Sequence, residues 1–309
     1  MKLSRRDFLK LCGASAAMLG VGATAAPPTL TAPRVSAPVA PRKANGVLID
    51  TTKCVGCKAC QNACKVANGL PTDDRPVALS ATTLTIVDFR NISTKADQPQ
   101  IKPVKKQCMH CEEPACVSVC PVGALVKQEN GCVTYDADIC MGCRYCMVAC
   151  PFGVPKYNWD SANPKINKCA QSCLANGKRD KPTCVSACPQ QALTYGSREE
   201  LLTLAQSRIR ENPGKYVNHV YGAKEVGGTT MLYLSNTPFE ALGFRVDLPE
   251  IALPRLTWEV QTKIPGVFLG ALTLLSGIAW WTHRKERAQV GARIPVPVPA
   301  PAYGENDDD

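Results

Sequence analysis

Residues 108–151 carry nine cysteines, eight of them in two sets of four around one short turn, and no other stretch limits the possible folds of the 309-residue chain as far. Cys140, Cys143, Cys146 and Cys150, followed by Pro151, spell C-x2-C-x2-C-x3-C-P. A loop and short helix with that spacing wraps a cubane iron–sulfur cluster, and its fourth cysteine serves the neighbouring cluster. Cys108, Cys111, Cys116 and Cys120, with Pro121, give the same pattern with two residues added between the second and third ligands. Between the sets, 124–127 and 133–136 flank Gln128-Glu129-Asn130-Gly131, which predicts a β-hairpin. Paired C-x2-C units also hold tetrahedral zinc, but a zinc site has no use for a third cysteine three residues on and a fourth followed by proline. Haem c attachment needs C-x2-C-H, and Glu112 follows Cys111; the histidines of the chain are His110, His219 and His283.

Residues 108–151 therefore resemble a complete two-cluster ferredoxin. A third set, Cys54, Cys57, Cys60 and Cys64, lacks the closing proline. Laid over 136–150, residues 50–64 match without gaps at Asp50, all four cysteines, one glycine and one alanine, an internal repeat. The fourth set is Cys169, Cys173, Cys184 and Cys188 with Pro189; Cys184-Val185-Ser186-Ala187-Cys188-Pro189 echoes residues 116–121, and Ala192-Leu193 echoes Ala124-Leu125. If the second and third sets form one ferredoxin module, the fourth and first can form another, discontinuous and enclosing it. Exchange of the last cysteine within each pair then predicts four 4Fe-4S clusters. Cys54, Cys57 and Cys60 share one with Cys188, and Cys169, Cys173 and Cys184 share the next with Cys64. In the inner module Cys108, Cys111 and Cys116 join Cys150, while Cys140, Cys143 and Cys146 join Cys120. Cys132 falls opposite Gly46 in the repeat and is expected to be a strand residue; Cys12 lies in the leader.

That leader, residues 1–25, opens with Ser4-Arg5-Arg6-Asp7-Phe8-Leu9-Lys10, the twin-arginine export signal, and ends at Ala23-Thr24-Ala25, an A-x-A cleavage site. A route that carries folded proteins suits sixteen thiols that must meet iron before an oxidising compartment. Residues 26–45 are Ala/Pro-rich and predict an extended linker, so the four-cluster domain is expected over 46–250. The formal charge of +10 counts every cysteine as neutral. Four cubanes, each about −2 with its thiolates, remove most of it, and with it the main support for nucleic-acid binding.

Three further elements follow from pattern. The β-branched run 81–87 and the segment 229–235 predict strands, and Ser197 with Glu199 and Glu200 caps an amphipathic helix to Glu211. Lys102, Lys105 and Lys106 are expected on a solvated face. Residues 264–282 hold no charge over 19 residues, about 28 Å of helix, enough for a bilayer core. Trp258, Trp280 and Trp281 suit the interfaces; Arg284, Lys285 and Arg287 put that end in the cytoplasm by the positive-inside rule. The tail, 283–309, is expected to be disordered.

The fold class expected is thus α+β, two ferredoxin-like modules plus one C-terminal transmembrane helix. Four cluster motifs, a twin-arginine leader and one anchor resemble the periplasmic iron–sulfur subunits of hydrogenase 2 type (HybA-like). The match is carried by Lys106-Gln107-Cys108-Met109-His110-Cys111, by residues 143–151, by Val154-Pro155-Lys156-Tyr157, and by residues 196–201 and 221–229. The wider class includes formate dehydrogenase β subunits. One departure is that the family opens its fourth motif Lys-C-x2-C, whereas Lys168 here precedes Cys169-x3-Cys173; all four cysteines survive, so a cubane is still expected. The resemblance implies a non-catalytic subunit of an oxidoreductase complex. It would pass electrons from a periplasmic catalytic partner, a nickel–iron hydrogenase oxidising dihydrogen, to an integral-membrane subunit that reduces quinone. A β subunit serving a molybdenum or tungsten enzyme is the alternative, and a zinc-stapled membrane-anchored scaffold a more distant one.

Overall fold

The computed structural model describes residues 44–72, 75–92, 100–159, 165–169 and 181–291. The leader with Arg5, Arg6 and Cys12, most of the linker, Cys173 and the tail from 292 lie outside the described residues. The chain divides between Ala252 and Leu253 into two units.

The first unit is built on β1, Asn45–Asp50, whose period-2 alternation supplies both faces of a core. It pairs antiparallel with β8, Leu193–Ser197, and parallel with β9, Met231–Leu234, in the order β8-β1-β9. Leu48, Leu232 and Leu234 point one way and pack on Leu201 and Ala205 of α5, Arg198–Glu211. That helix starts where the sequence predicts, with Ser197 Oγ accepting the Glu200 N–H at 3.3 Å. Val47, Ile49, Met231 and Tyr233 point the other way, into a core that includes Cys64, Cys108 and Cys169. The sheet is thus the wall between a covering helix and the cysteine loops.

Around that wall sit three two-stranded ribbons. β2, Thr85–Ile92, pairs with β3, Gln100–Gln107; β4, Leu125–Lys127, with β5, Val133–Tyr135; and β6, Lys156–Tyr157, with β7, Ile166–Asn167. The expected hairpin after Cys120 is the β4–β5 ribbon, and Cys132 lies buried immediately before β5. The strand expected over 81–87 instead starts at Thr85, because Ser80 and Thr83 bond each other in a tight turn and leave only later residues to pair.

Residues 109–112 are pinned to the sheet edge, Glu112 N donating to Gly228 O at 2.9 Å and Thr230 N to His110 O at 3.3 Å. The loop 221–229 shapes that edge. Gly222, at φ +96°, brings its backbone so close that a Cβ would lie 2.3 Å from Met231 O. Glu225 Oε2 accepts its N–H at 2.7 Å.

The second unit comprises α6, Leu253–Gln261, and α7, Ile264–Gly291. Residues 253–284 have a mean hydropathy of 1.6 in their most apolar window, with none of that window buried. By length and composition residues 253–284 are a candidate membrane-crossing segment, and within it α7 starts where 264–282 predicts and continues past its end. Arg284 lies over the Trp280 ring at 5.1 Å.

Candidate iron–sulfur cluster sites

The first and third cysteine loops are wound by residues in left-handed conformation. Gly56 and Lys58 stand at φ +73° and +59° in the first set; Gly142 and Arg144, at the matching places in the third, stand at +73° and +67°. Alternation of this kind turns successive backbone N–H groups inward as a nest, a concavity suited to an anionic iron–sulfur centre. Gly56 cannot be replaced without conflict, since a Cβ there would come 2.7 Å from the Phe89 ring. The first and third loops are each opened by an aspartate whose Oδ1 accepts the N–H two residues on, Asp50 from Thr52 at 3.1 Å and Asp136 from Asp138 at 2.9 Å.

The prolines have a local explanation. α3, Tyr145–Ala149, stops before Cys150-Pro151, because proline disfavours helix for the residue before it. After Cys120, Cys150 and Cys188 the chain makes a turn with Pro at its second position, and Gly123, Gly153 and Gln191 return their N–H to the cysteine carbonyl. The next N–H meets the sulfur: Ala124 N reaches Cys120 Sγ at 3.2 Å and Ala192 N reaches Cys188 Sγ at 3.3 Å. The set without proline behaves differently. α1, Ala59–Ala67, runs on through Cys64, and the Asn68 side chain at 3.6 Å takes the place of the missing backbone donor.

The described thiols fall into four groups. Cys54, Cys57, Cys60 and Cys188 line one cavity with Val55, Val87 and Ala192. Cys64, Cys169 and Cys184 line a second with Val47, Met231 and Pro182. Ile49, Lys105 and Leu193 border both. Cys111 has its pKa pushed well up, first by burial and then by Cys116, Cys150 and Cys108 beside it. Cys146 is pushed up to about 11 by burial, with Cys120, Cys143 and Cys140 adding to it against a Tyr157 hydrogen bond. Thiols that raise one another's pKa cannot all ionise without a compensating cation, which is what a metal core supplies. Among the described residues, no three such side chains are gathered as for a single metal ion. The chemistry of the donor sets, all sulfur, in apolar cavities and ringed by backbone N–H groups, fits cubane clusters.

Three buried polar groups stand among these thiols that pattern reading does not single out. His110 is buried, its Nδ1 accepting the Val133 N–H at 2.9 Å, and its ring hydrogen-bonds Cys108. Burial raises the Cys108 pKa, but His110 and Lys168 more than offset it and the net shift is downward. Lys168 is buried, its Nζ donating to Val133 O and Cys169 O. Burial lowers its pKa, yet Cys108, Cys116, Cys132 and Cys169 bring it above the ordinary value. Lys105, expected on a solvated face, is instead 3% exposed; Lys106, next to it, takes the outward side and pairs with Asp88 at 3.2 Å.

Nested cysteine loops and sulfur-lined cavities define the class as a ferredoxin-type iron–sulfur protein, and two family models agree. The 4Fe-4S dicluster domain matches residues 100–198 and a 4Fe-4S binding domain residues 45–66. The chain is 38% identical to the hydrogenase-2 operon protein HybA of Escherichia coli O157:H7, over 81% of its own length and 84% of that protein's. It is 42% identical to a protein of Nitratidesulfovibrio vulgaris, over 92% and 78%, and 33% identical to the formate dehydrogenase iron-sulfur subunit of Haemophilus influenzae, over 74% and 77%. The chain belongs to the family of HybA-like iron–sulfur subunits. It is an electron-transfer subunit of hydrogenase-2 or formate dehydrogenase type, and its apolar C-terminal helix is consistent with a membrane anchor.

Proposed function

We propose that this subunit holds four 4Fe-4S clusters in the sets predicted above and passes electrons from a periplasmic nickel–iron hydrogenase to a quinone-reducing membrane subunit. The observation that carries the reading is the cavity lined by Cys54, Cys57, Cys60 and Cys188. Only the exchange of last cysteines between the outer loops predicts that grouping, and the same rule accounts for the neighbours of Cys111 and Cys146. Cys173 completes the set of Cys169, Cys184 and Cys64. The arrangement amounts to two ferredoxin-like modules in an α+β fold, the outer one closed by the β8-β1-β9 sheet.

When bound, the clusters supply one-electron redox centres. The chain's own residues do the rest. The sixteen thiols hold the cores, the backbone N–H groups of Ala124 and Ala192 tune sulfur basicity, and Val47, Ile49, Leu193 and Met231 keep water away. The twin-arginine leader supports export of the loaded, folded chain to the periplasmic face, and Arg284, Lys285 and Arg287 support a cytoplasmic end for the anchor.

The test is elemental analysis of the complex that copurifies from mild-detergent-solubilised membranes. Iron with nickel and labile sulfide is the expected result. Iron with molybdenum or tungsten would keep the relay and replace its donor with a formate dehydrogenase type enzyme, as the Haemophilus relative suggests. Zinc without labile sulfide would overturn the reading.

A further inference from the structure

Lys105 lies on β3 and lines both the cavity of Cys54, Cys57, Cys60 and Cys188 and the cavity of Cys64, Cys169 and Cys184. Its Nζ donates to Thr85 Oγ1 at 2.6 Å and to Gln107 Oε1 at 2.9 Å, both neutral oxygens. Among the described residues no carboxylate is paired with it. The backbone holds it in place, Tyr233 OH donating to Lys105 O at 2.9 Å while Gln107 Nε2 donates to that hydroxyl at 2.8 Å.

A buried ammonium with only neutral partners is strongly disfavoured unless negative charge lies close by. Here the negative charge available is that of the two thiolate sets, each about −2 once a cubane is bound.

We propose that Lys105 is the shared counter-ion of the two outer-module clusters, a positioning residue whose fixed charge raises both reduction potentials together. The proposal rests on the four-cluster reading above. A cation between two centres favours the reduced, more negative form of each. Because one charge acts on both, it lifts the pair without separating them, and the electron step between them stays close to level. Its neighbour Lys106 lies on the opposite side of the strand and cannot do this.

The experiment is a potentiometric EPR titration of the complex, with iron and labile sulfide measured on every sample. Wild type comes first: fewer than four clusters there defeats the underlying reading, whatever the variants do. In Lys105→Met, two of the four midpoint potentials should fall, each by at least tenfold in its reduction equilibrium, about 59 mV for one electron. The other two should stay, and Lys106→Met, which removes the same net charge, should move none. Lys105→Arg should hold the pair near wild type. If Lys105→Met loses iron, Lys105→Gln carries the test, since it keeps a hydrogen-bonding side chain at the same place without the charge and should lower the same two potentials. Unmoved potentials, a shift in one cluster alone, an equal shift in all four, or an arginine variant that falls like the methionine one would each overturn the proposal.

Discussion

Pairwise removal of Cys57, Cys184 and Cys188 tests ligand sharing between loops that lie far apart in sequence. Cys57 and Cys188 line one cavity, whereas Cys184 lines the next although only four residues precede Cys188. A cubane contains four irons, so Cys57→Ala should lower the content from about sixteen to about twelve per chain, and Cys188→Ala should do the same. If both thiols hold one cluster, the loss is already complete after the first substitution. The Cys57→Ala/Cys188→Ala double variant should then stay near about twelve, the non-additivity of groups that act as a unit. Cys57→Ala/Cys184→Ala takes one thiol from each cavity and should fall to about eight. Iron and labile sulfide per chain, with integrated EPR spin counts, give the measurement in purified complex. The opposite pattern, eight for the first double variant and twelve for the second, would refute the sharing rule and with it the discontinuous module.

Other substitutions read the frame rather than the clusters. Asp50 is buried and accepts from Thr52 twice, from Arg208 at 3.2 Å and from Tyr216 at 3.0 Å; Asp50→Ala should cost about 3 kcal/mol, because Arg208 is only partly exposed and loses its partner. Chemical denaturation followed by cluster absorbance measures this, and a loss under half a kcal/mol would contradict the role given to the pair. Gly222→Ala should destabilise by about 3 kcal/mol, from an unfavourable φ and a Cβ driven against Met231 O, with a wild-type midpoint as the contrary outcome. Cys132→Ala should keep all the iron and lower stability by about 1 kcal/mol; loss of four irons would make Cys132 a ligand. A chain ending at Ala252 should leave the membrane fraction with its iron intact, since the first unit has its own core; continued membrane retention without partners would count against the anchor.

What was legible in the sequence is what depends on neighbours in the chain. Cysteine spacing, the hairpin after Cys120, the repeat of residues 50–64 in 136–150 and the Ser197 cap are all local, and the structure carries the β4–β5 ribbon, matching turns at Asp50 and Asp136, and the cap. What was hidden depends on distant packing. Lys105 reads as a surface charge because nothing within ten residues shows that Tyr233 and two thiol sets will enclose it. Lys168 is hidden for the same reason. His110 sits inside a cysteine motif, between Cys108 and Cys111, yet its hydrogen bond to the Val133 backbone requires the β4–β5 ribbon to fold back. Asn68 could have been suspected: where the closing proline is missing, something else must donate to Cys64.

β1 lies between β8 and β9, strands that come roughly 150 and 190 residues after it in the chain. During synthesis at about 5–20 residues per second, the first three thiols therefore wait on the order of ten seconds before the fourth wall of their cavity leaves the ribosome. The inner loops and their ribbon need no such wait. Under the ligand sharing proposed above, iron loading would begin in the middle of the chain and finish at its first motif, so a stalled or clipped chain would be half-metallated from the inside outward. A checkpoint that senses closure of the β8-β1-β9 sheet would, in one contact, sense that loading is complete.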